Sequence, residues 1–312
     1  MTPLPTLRQL QFFLALVRRE SFSRAAADCL VSQSTLSSAI KELEMILDRQ
    51  LVDRSTRQFS LTPAGRDVAG RAARILAETE DLARSVSARK PLEGPFNLGV
   101  IPTIAPFLLP LATPGLAEKF PKLELFLRED LTGALADRLA DGSLDAALLA
   151  FPYDLPGTER IEIGEDPFLF ASPAGGPLAA RKSVKPADLK GAHLLLLEDG
   201  HCMRDHALDA CKLQPDDVAS AFAATSLFTL TQMVRAGLGA TLLPKMAVDA
   251  GIAASAGLAV TPLAEPAPAR KIGLAWRKGS GRREDCELLA NHFRQAMSRG
   301  AATGGAIAAG NH

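Results

Sequence analysis

Leu7, Leu10, Phe13, Leu14 and Val17 recur at spacings of three and four, which predicts an amphipathic helix near the start of the chain. "ESF" at 20–22 breaks that stripe. Ser23 stands where an N-cap belongs, ahead of a short alanine-rich helix over 24–29. "LVS" reads as a tight turn. Ser32 then caps a third helix over 33–47, with Leu36, Ile40, Leu43 and Leu47 on one face. Two short helices joined by a tight turn make a helix-turn-helix. "LVDRSTRQFSLTPAG" follows as a short hairpin, or wing. From Ala64 to about Arg89 one long helix is expected. Val68, Ala72, Ile75, Thr79, Leu82 and Val86 alternate along it at four and three, a seam suited to a partner helix. Pro91 and Gly94-Pro95 end it.

Beyond residue 94 the period changes. "FNLGVIPT", "LELFLRE" and "LDAALLAF" read as strands, and "APFLLPLATPGLAEKF" and "TGALADRLADG" between them as helices. That alternation predicts an α/β unit with a parallel sheet. "IEIGEDPFLFASP" opens a second such set, to about Leu263. "EPAPARKIGLAWR" leads into another strand, and a last helix is expected from about Arg283 to Met297. The fold class is therefore α/β with an all-α N-terminal part. It comprises a winged helix-turn-helix over 1–64, a linker and dimerisation helix over 65–93, and a regulatory domain of two subdomains. Subdomain I is 94–164 with 267–300, and subdomain II is 165–266. The chain crosses between them near Gly164 and near Pro266, as in the two-lobed periplasmic solute-binding architecture. Such folds place ligands between the lobes, at the carboxyl ends of strands. The tail 301–312, "AATGGAIAAGNH", is small and flexible and is expected to be disordered.

Composition refines this picture in two ways. The net charge is zero, but residues 1–90 carry 14 Lys/Arg against 10 Asp/Glu, a basic front end suited to a polyanionic partner. No apolar run reaches the length of a membrane span, and the first thirty residues lack a signal peptide's order, so a cytoplasmic protein with reduced thiols is expected and no membrane partner. Four cysteines in such a compartment are not a disulfide framework. No GxGxxG, P-loop, HExxH or CxxC pattern occurs, and His and Cys are not spaced as metal ligands, so no cofactor and no metal is expected.

Two stretches carry candidate chemistry. In a helix-turn-helix the start of the second helix meets base edges. Here Ser32, Gln33, Ser34, Thr35, Ser37 and Ser38, with Lys41 a turn on, are polar and free of carboxylates. Arg54 and Arg57 in the wing suit phosphate or minor-groove contacts. The second stretch is "LLLLEDGHCMRDHALDAC", which holds Cys202 and Cys211. A helix start at Cys202, with His201 and Arg204 adjacent, would lower that thiol's pKa. Thr103 and Thr132, each at the mouth of the cleft, are placed to hydrogen-bond a small polar oxidant, and Asp205 to orient one of these groups. A thiolate so held would attack peroxide and become a sulfenic acid, with Cys211 as candidate resolving thiol. On one helix the two Cα atoms lie about 13–14 Å apart, from a rise of ~1.5 Å per residue, whereas a disulfide needs them within ~7 Å. Bond formation would unwind the segment. Cys29 and Cys286 fall in apolar helical settings and read as structural.

"SFSRAAADCLVSQSTLSSAIKELE", "LVDRS" and "LTPAG" resemble the DNA-binding domain of LysR-type transcriptional regulators. Ser34, Asp48 and Val52 depart from the family's usual Pro, Gly and Phe. "GVIPT", "LLEDGHCMRDHALDAC", "FAATS" and "GATLLP" extend the resemblance to about residue 298, toward the family's peroxide-sensing members. The resemblance implies a peroxidatic Cys202, a resolving Cys211, and a peroxide pocket of Thr103, Thr132, His201, Arg204 and Asp205. Ala221 stands where some members carry a pocket histidine. It further implies a homotetramer built as a dimer of dimers, promoter DNA, hydrogen peroxide and RNA polymerase as partners, a thiol reductant for reset, and no enzymatic turnover. Two other readings stay open on the residues: a LysR-type regulator answering an organic effector, and a thiol peroxidase or reductase. The basic helix-turn-helix opposes the latter. A solute-binding protein is opposed by the extra N-terminal domain.

Overall fold

The computed structural model describes residues 3–53, 59–86, 90–212 and 224–308. Arg54, Arg57 and Ala221 fall outside them. Met1–Ala88 belongs to one compact unit, and Arg89–Leu139, Leu144–Lys278 and Arg282–His312 to a second.

In the first unit α1 (Leu7–Arg19) starts from a Thr6–Gln9 capping box. Its buried side rests on Leu10, Phe12, Phe13 and Leu16, whereas Leu7, read as part of the apolar stripe, is 43% exposed. Helix α2 spans Phe22–Asp28, and its cap is Ser21 rather than Ser23. Phe22 packs against the core and pulls the helix start back by two residues. Leu30 turns the chain at φ 54°. Helix α3 (Gln33–Leu47) then begins at the Ser32 cap, with Leu36, Ile40 and Leu43 fully buried. It ends on Asp48 in the left-handed conformation, φ 48° and ψ 41°. A carboxylate side chain tolerates that geometry better than most, so the turn survives without glycine. Strands β1 (Val52–Asp53) and β2 (Ser60–Leu61) pair antiparallel as the wing's base. Thr62 caps α4 (Pro63–Ser85), with Pro63 in its first turn, where no N–H partner is needed. Gly65 sits against the Leu51 carbonyl too closely to accept a Cβ, which accounts for the glycine of "LTPAG".

The second unit is built on β3 (Gly94–Val100), α5 (Ala105–Lys119), β4 (Leu123–Glu129), α6 (Thr132–Ala140), β5 (Ala146–Phe151) and β6 (Thr158–Pro173). There follow α7 (Pro186–Leu189), α8 (Cys202–Cys211), α9 (Leu227–Arg235), β7 (Thr241–Pro244), α10 (Lys245–Asp249), α11 (Ile252–Ser255), β8 (Leu258–Pro262), β9 (Ala269–Arg277) and α12 (Arg283–Ala308). The sheet order is β4-β3-β5-β9-β6-β7, with β8 also on β6. Among the described strands only β3, β4 and β5 pair parallel; β9 meets both β5 and β6 antiparallel, so the sheet is mixed rather than parallel throughout. The difference arises because β6 and β9 are the two crossings between subdomains. Residues 158–167 of β6 pair with β9, and its end pairs with β7 and β8. Two cores result, one around Phe96, Leu148, Trp276 and Phe293, the other around Phe168, Phe170, Leu196 and Leu242. Helix α12 continues to Ala308, eight residues into the stretch expected to be a disordered tail. Four alanines among residues 301–308 favour helix over coil and offset the two glycines there.

Candidate functional site

The four leucines before Cys202 are buried but form no continuous strand; Leu194 and Leu197 make isolated bridges to Ala240 and Ala224. Gly200, at φ 95°, turns the chain into α8. Cys202 is the first residue of that helix and Cys211 the last. Cys202 packs with the first core, while Met203, Ala207 and Cys211 pack with the second. Helix α8 therefore lies along the seam between the two lobes. All four cysteines are free thiols.

Cys202 lines a tight cleft, too narrow for a water-sized sphere, together with Ile101, Pro102, Thr103, Leu131, Thr132, Gly200 and His201. Thr103 and Thr132 are buried. Thr132 is the first residue of α6, and its hydroxyl caps nothing; Oγ1 is buried with no hydrogen bond of good geometry. Its interaction with the Cys202 sulfur favours the thiolate. Of the expected pocket residues, the structure thus brings Thr103, Thr132 and His201 to the thiol. It does not bring Arg204 or Asp205 to the lining. Arg204 reaches back to Asp199, Nε to Oδ1 at 3.1 Å, and Asp205 is exposed.

The expected lowering of the Cys202 pKa is overturned. Burial pushes the thiol up, and this outweighs the help of Thr132, Arg270 and the Ala150 backbone. Asp205 adds to the rise. His201 supplies no cation, because burial holds its imidazole below the usual range, against the opposing effects of Glu198 and Thr225. Cys211 is pushed up to about 11 by burial alone. Cys286 lies in the first core and is raised well above the usual thiol range, and Cys29 packs half-buried against the N-terminal core.

The cation that faces Cys202 is Arg270, which the sequence reading missed. It is 1% exposed, in ion pair with Asp166. Nη1 donates to Thr103 Oγ1 at 2.7 Å and Nη2 to the Thr103 carbonyl at 2.9 Å. A signal existed: Arg270 is in phase with buried Ile272, Leu274 and Trp276 on β9, so it points inward. His206 was also missed, one turn beyond Cys202 and buried.

In the DNA-binding unit Ser32, Gln33, Ser34, Thr35, Ser38 and Lys41 are exposed and Ser37 half-buried. The Ser32 hydroxyl accepts from the Thr35 amide at 3.1 Å and meets the hydroxyls of Ser34 and Thr35 at 2.8 and 2.7 Å. Ser34 therefore joins the cap where the family carries proline. Gln33 Oε1 accepts from Ser23 at 2.8 Å, which fixes its side chain across the turn. Among the described residues no cluster of His, Cys, Asp or Glu is placed to hold a metal ion, and no helix is long and apolar enough to cross a membrane.

A winged helix-turn-helix followed by a two-lobed α/β domain defines a DNA-binding transcription regulator. The bacterial regulatory helix-turn-helix of the lysR family matches residues 7–66, and the LysR substrate binding domain matches residues 89–298. A probable hydrogen peroxide-inducible genes activator of Streptomyces viridosporus is 40% identical over 295 residues, covering 94% of this chain and 95% of that one. The DNA-binding transcriptional dual regulator OxyR of Escherichia coli is 40% identical over 292 residues, covering 93% and 95%. Full-length OxyR of Pseudomonas aeruginosa, solved with a cysteine-to-aspartate change, superposes with a TM-score of 0.78 at 34% identity, covering 93% of this chain and 98% of that one. A hydrogen-peroxide-bound cysteine-to-serine mutant of Corynebacterium glutamicum OxyR gives a TM-score of 0.68 at 34% identity, covering 99% and 97%. The chain belongs to the LysR family of transcription regulators, in the group that contains OxyR.

Proposed function

We propose that this chain senses hydrogen peroxide through Cys202 and relays its oxidation to promoter DNA. The observation that supports this reading is the buried thiol beside two threonine hydroxyls, one held by Arg270 and one that makes no hydrogen bond of good geometry. A peroxide molecule has O–H donors and oxygen acceptors that match these hydroxyls, and since the closed cleft leaves no room even for a water-sized sphere, the side chains around Cys202 part to admit it. The Cys202 sulfur attacks one peroxide oxygen, the O–O bond breaks, and the leaving hydroxide takes the thiol proton as water. The sulfenic acid then condenses with the Cys211 thiol, releasing a second water and forming the disulfide. Helix α8 runs from one thiol to the other, so the second step unwinds it. One equivalent of peroxide is consumed, and a thiol reductant resets the switch, without turnover.

Assembly as a dimer of dimers suits the surface. Val68 and Ala72 of α4 pack into the N-terminal core, but Ile75, Leu82 and Val86 are exposed further along the same seam. On the second unit Leu111, Phe126, Leu127, Phe228 and Leu238 are exposed too. Apolar groups of this size suit burial between protomers. A refolded α8 region would alter that packing, and with it the contacts to DNA and RNA polymerase, in the cytoplasm.

Peptide mass spectrometry after one equivalent of hydrogen peroxide tests the reading. A Cys202–Cys211 disulfide, absent in Cys202→Ser, is expected. Free thiols in both proteins would overturn it and leave an organic effector as the signal.

A further inference from the structure

The middle of α8 carries a group that the peroxide chemistry does not use. His206 is 5% exposed and lies between the two thiols, four residues after Cys202 and five before Cys211. Its Nε2 stands 2.8 Å from the carbonyl oxygen of Pro152. A carbonyl only accepts, so Nε2 carries the proton and donates. The other ring nitrogen, Nδ1, is then a bare acceptor, and it is buried with no hydrogen-bond partner. The charged groups that face this imidazole are Asp205 and Asp209 on its own helix and Arg270 on β9. Cys202, one turn earlier, packs at the same lobe boundary. Burial first, and then Arg270, hold the ring neutral, while the Pro152 carbonyl and the two carboxylates oppose them.

An anchor at the middle of this helix bears on the switch. Pro152 follows β5, so the Nε2–Pro152 hydrogen bond ties α8 to the first lobe. The two thiols cannot meet while α8 is wound, and unwinding between them takes His206 off that carbonyl. In water the freed imidazole has the ordinary basicity of a histidine, near ~6.5. The opened segment therefore binds a proton that the anchored helix refuses. We propose that His206 is a proton-gated anchor of the sensor helix, a positioning residue that keeps α8 shut at neutral and alkaline pH and lets it open more readily in acid.

The sign follows from linkage. The anchored pKa is lowered, so the open state holds more protons and the closed state gains stability as pH rises. That stability is complete above the free-histidine range. It falls by about tenfold in population per pH unit below ~6.5, until the lowered pKa is reached. Acid would thus prime the protein for disulfide formation. The inference rests on the reading that α8 opens on oxidation, but the anchor itself exists in the reduced protein and is tested there.

The experiment is hydrogen exchange of the reduced full-length protein between pH 5.5 and 8, followed by mass spectrometry of the peptide over 202–211 and corrected for the intrinsic pH dependence of amide exchange. Leu227–Arg235 serves as the control segment. In the wild type, protection of 202–211 is expected to drop from pH 7 to 5.5, by at most about tenfold. His206→Gln keeps an N–H donor for Pro152 and cannot titrate at 206, so it should stay protected, with only a residual acid loss from the buried His201 at the helix cap. His206→Ala should exchange faster at every pH, with the same small residual acid loss. A flat wild-type profile, or an acid loss in His206→Gln equal to that of the wild type, overturns the proposal; that comparison holds even if His206→Ala does not fold. Failure of peroxide to form the disulfide, with the acid loss present, would instead count against the peroxide reading and leave the anchor standing.

Discussion

Arg270 grips Thr103 at both of its oxygens, the hydroxyl from Nη1 and the carbonyl from Nη2. The same guanidinium places Nε and Nη2 on one carboxylate oxygen of Asp166, at 3.0 and 2.9 Å. One buried cation therefore orients a pocket hydroxyl and lowers the cost of charging the pocket thiol. Arg270→Met should raise the Cys202 pKa and leave Asp166 buried and unpaired. The structural loss is expected to be about 3–5 kcal/mol, read by urea unfolding, and the thiol effect by the pH dependence of alkylation. Arg270→Lys keeps the charge and loses the fork, so its alkylation profile should lie nearer the wild type than its stability does.

Thr132→Val separates chemistry from stability. The Thr132 hydroxyl has no hydrogen bond of good geometry to lose, so an isosteric methyl should leave the unfolding midpoint unchanged or slightly raised. The hydroxyl's support of the thiolate disappears. Peroxide oxidation of Cys202, followed by stopped flow, should slow by about tenfold, the equivalent of ~1.4 kcal/mol. An unchanged rate would remove Thr132 from the pocket chemistry.

The raised thiols predict a pH dependence of stability. For Cys211 the folded pKa is about 11, above the ordinary value. Stability from its buried neutral thiol is then fully present below ~8.5, the free-thiol range, and lost as pH rises toward the folded value. Cys202 contributes in the same direction. In Cys211→Ala the alkaline decline should be visibly shallower, with some loss at all pH from the small cavity. The Cys202 oxidation rate should still be rising above neutral pH, because the thiol is not ionised at rest.

At the DNA face, Gln33→Ala should reduce discrimination between operator and random sequence, and Thr35→Ala should do the same while keeping the backbone cap bond to Ser32 and losing only the hydroxyl contact beside it. Arg57→Ala should weaken binding to all sequences and reduce the salt slope by about one. Equal losses on specific and random DNA for all three would remove the division between base reading and phosphate contact.

The local patterns carried far into the structure. Leu36, Ile40 and Leu43 fixed the helix read from their spacing, and Ser32 caps it as expected. The cap of α2 was misplaced by two residues because Phe22 packs inward, a tertiary contact that spacing does not register. The site divided along the same line. Cys202 at a helix start was legible; its burial was not, and burial reversed the expected pKa. Arg270 lies 68 residues downstream and arrives by the pairing of β9 with β5 and β6, so adjacency in sequence favoured Arg204 instead. Arg204 turned out to serve Asp199.

The Arg270–Asp166 pair also ties distant parts of the regulatory domain together. Asp166 accepts the Met246 amide at the start of α10 with its other oxygen, at 2.9 Å, while Arg270 holds Thr103 in the loop after β3. Asp166 and Arg270 face each other across the β6–β9 pairing, at the crossing between the lobes, so the pair braces the hinge strands themselves, and breaking it would cost about 3–5 kcal/mol. The frame is stiff where solute traps are jointed. What remains free to answer a stimulus is the strip of chain laid across the frame, so the receptor works less like a jaw than like a tripwire.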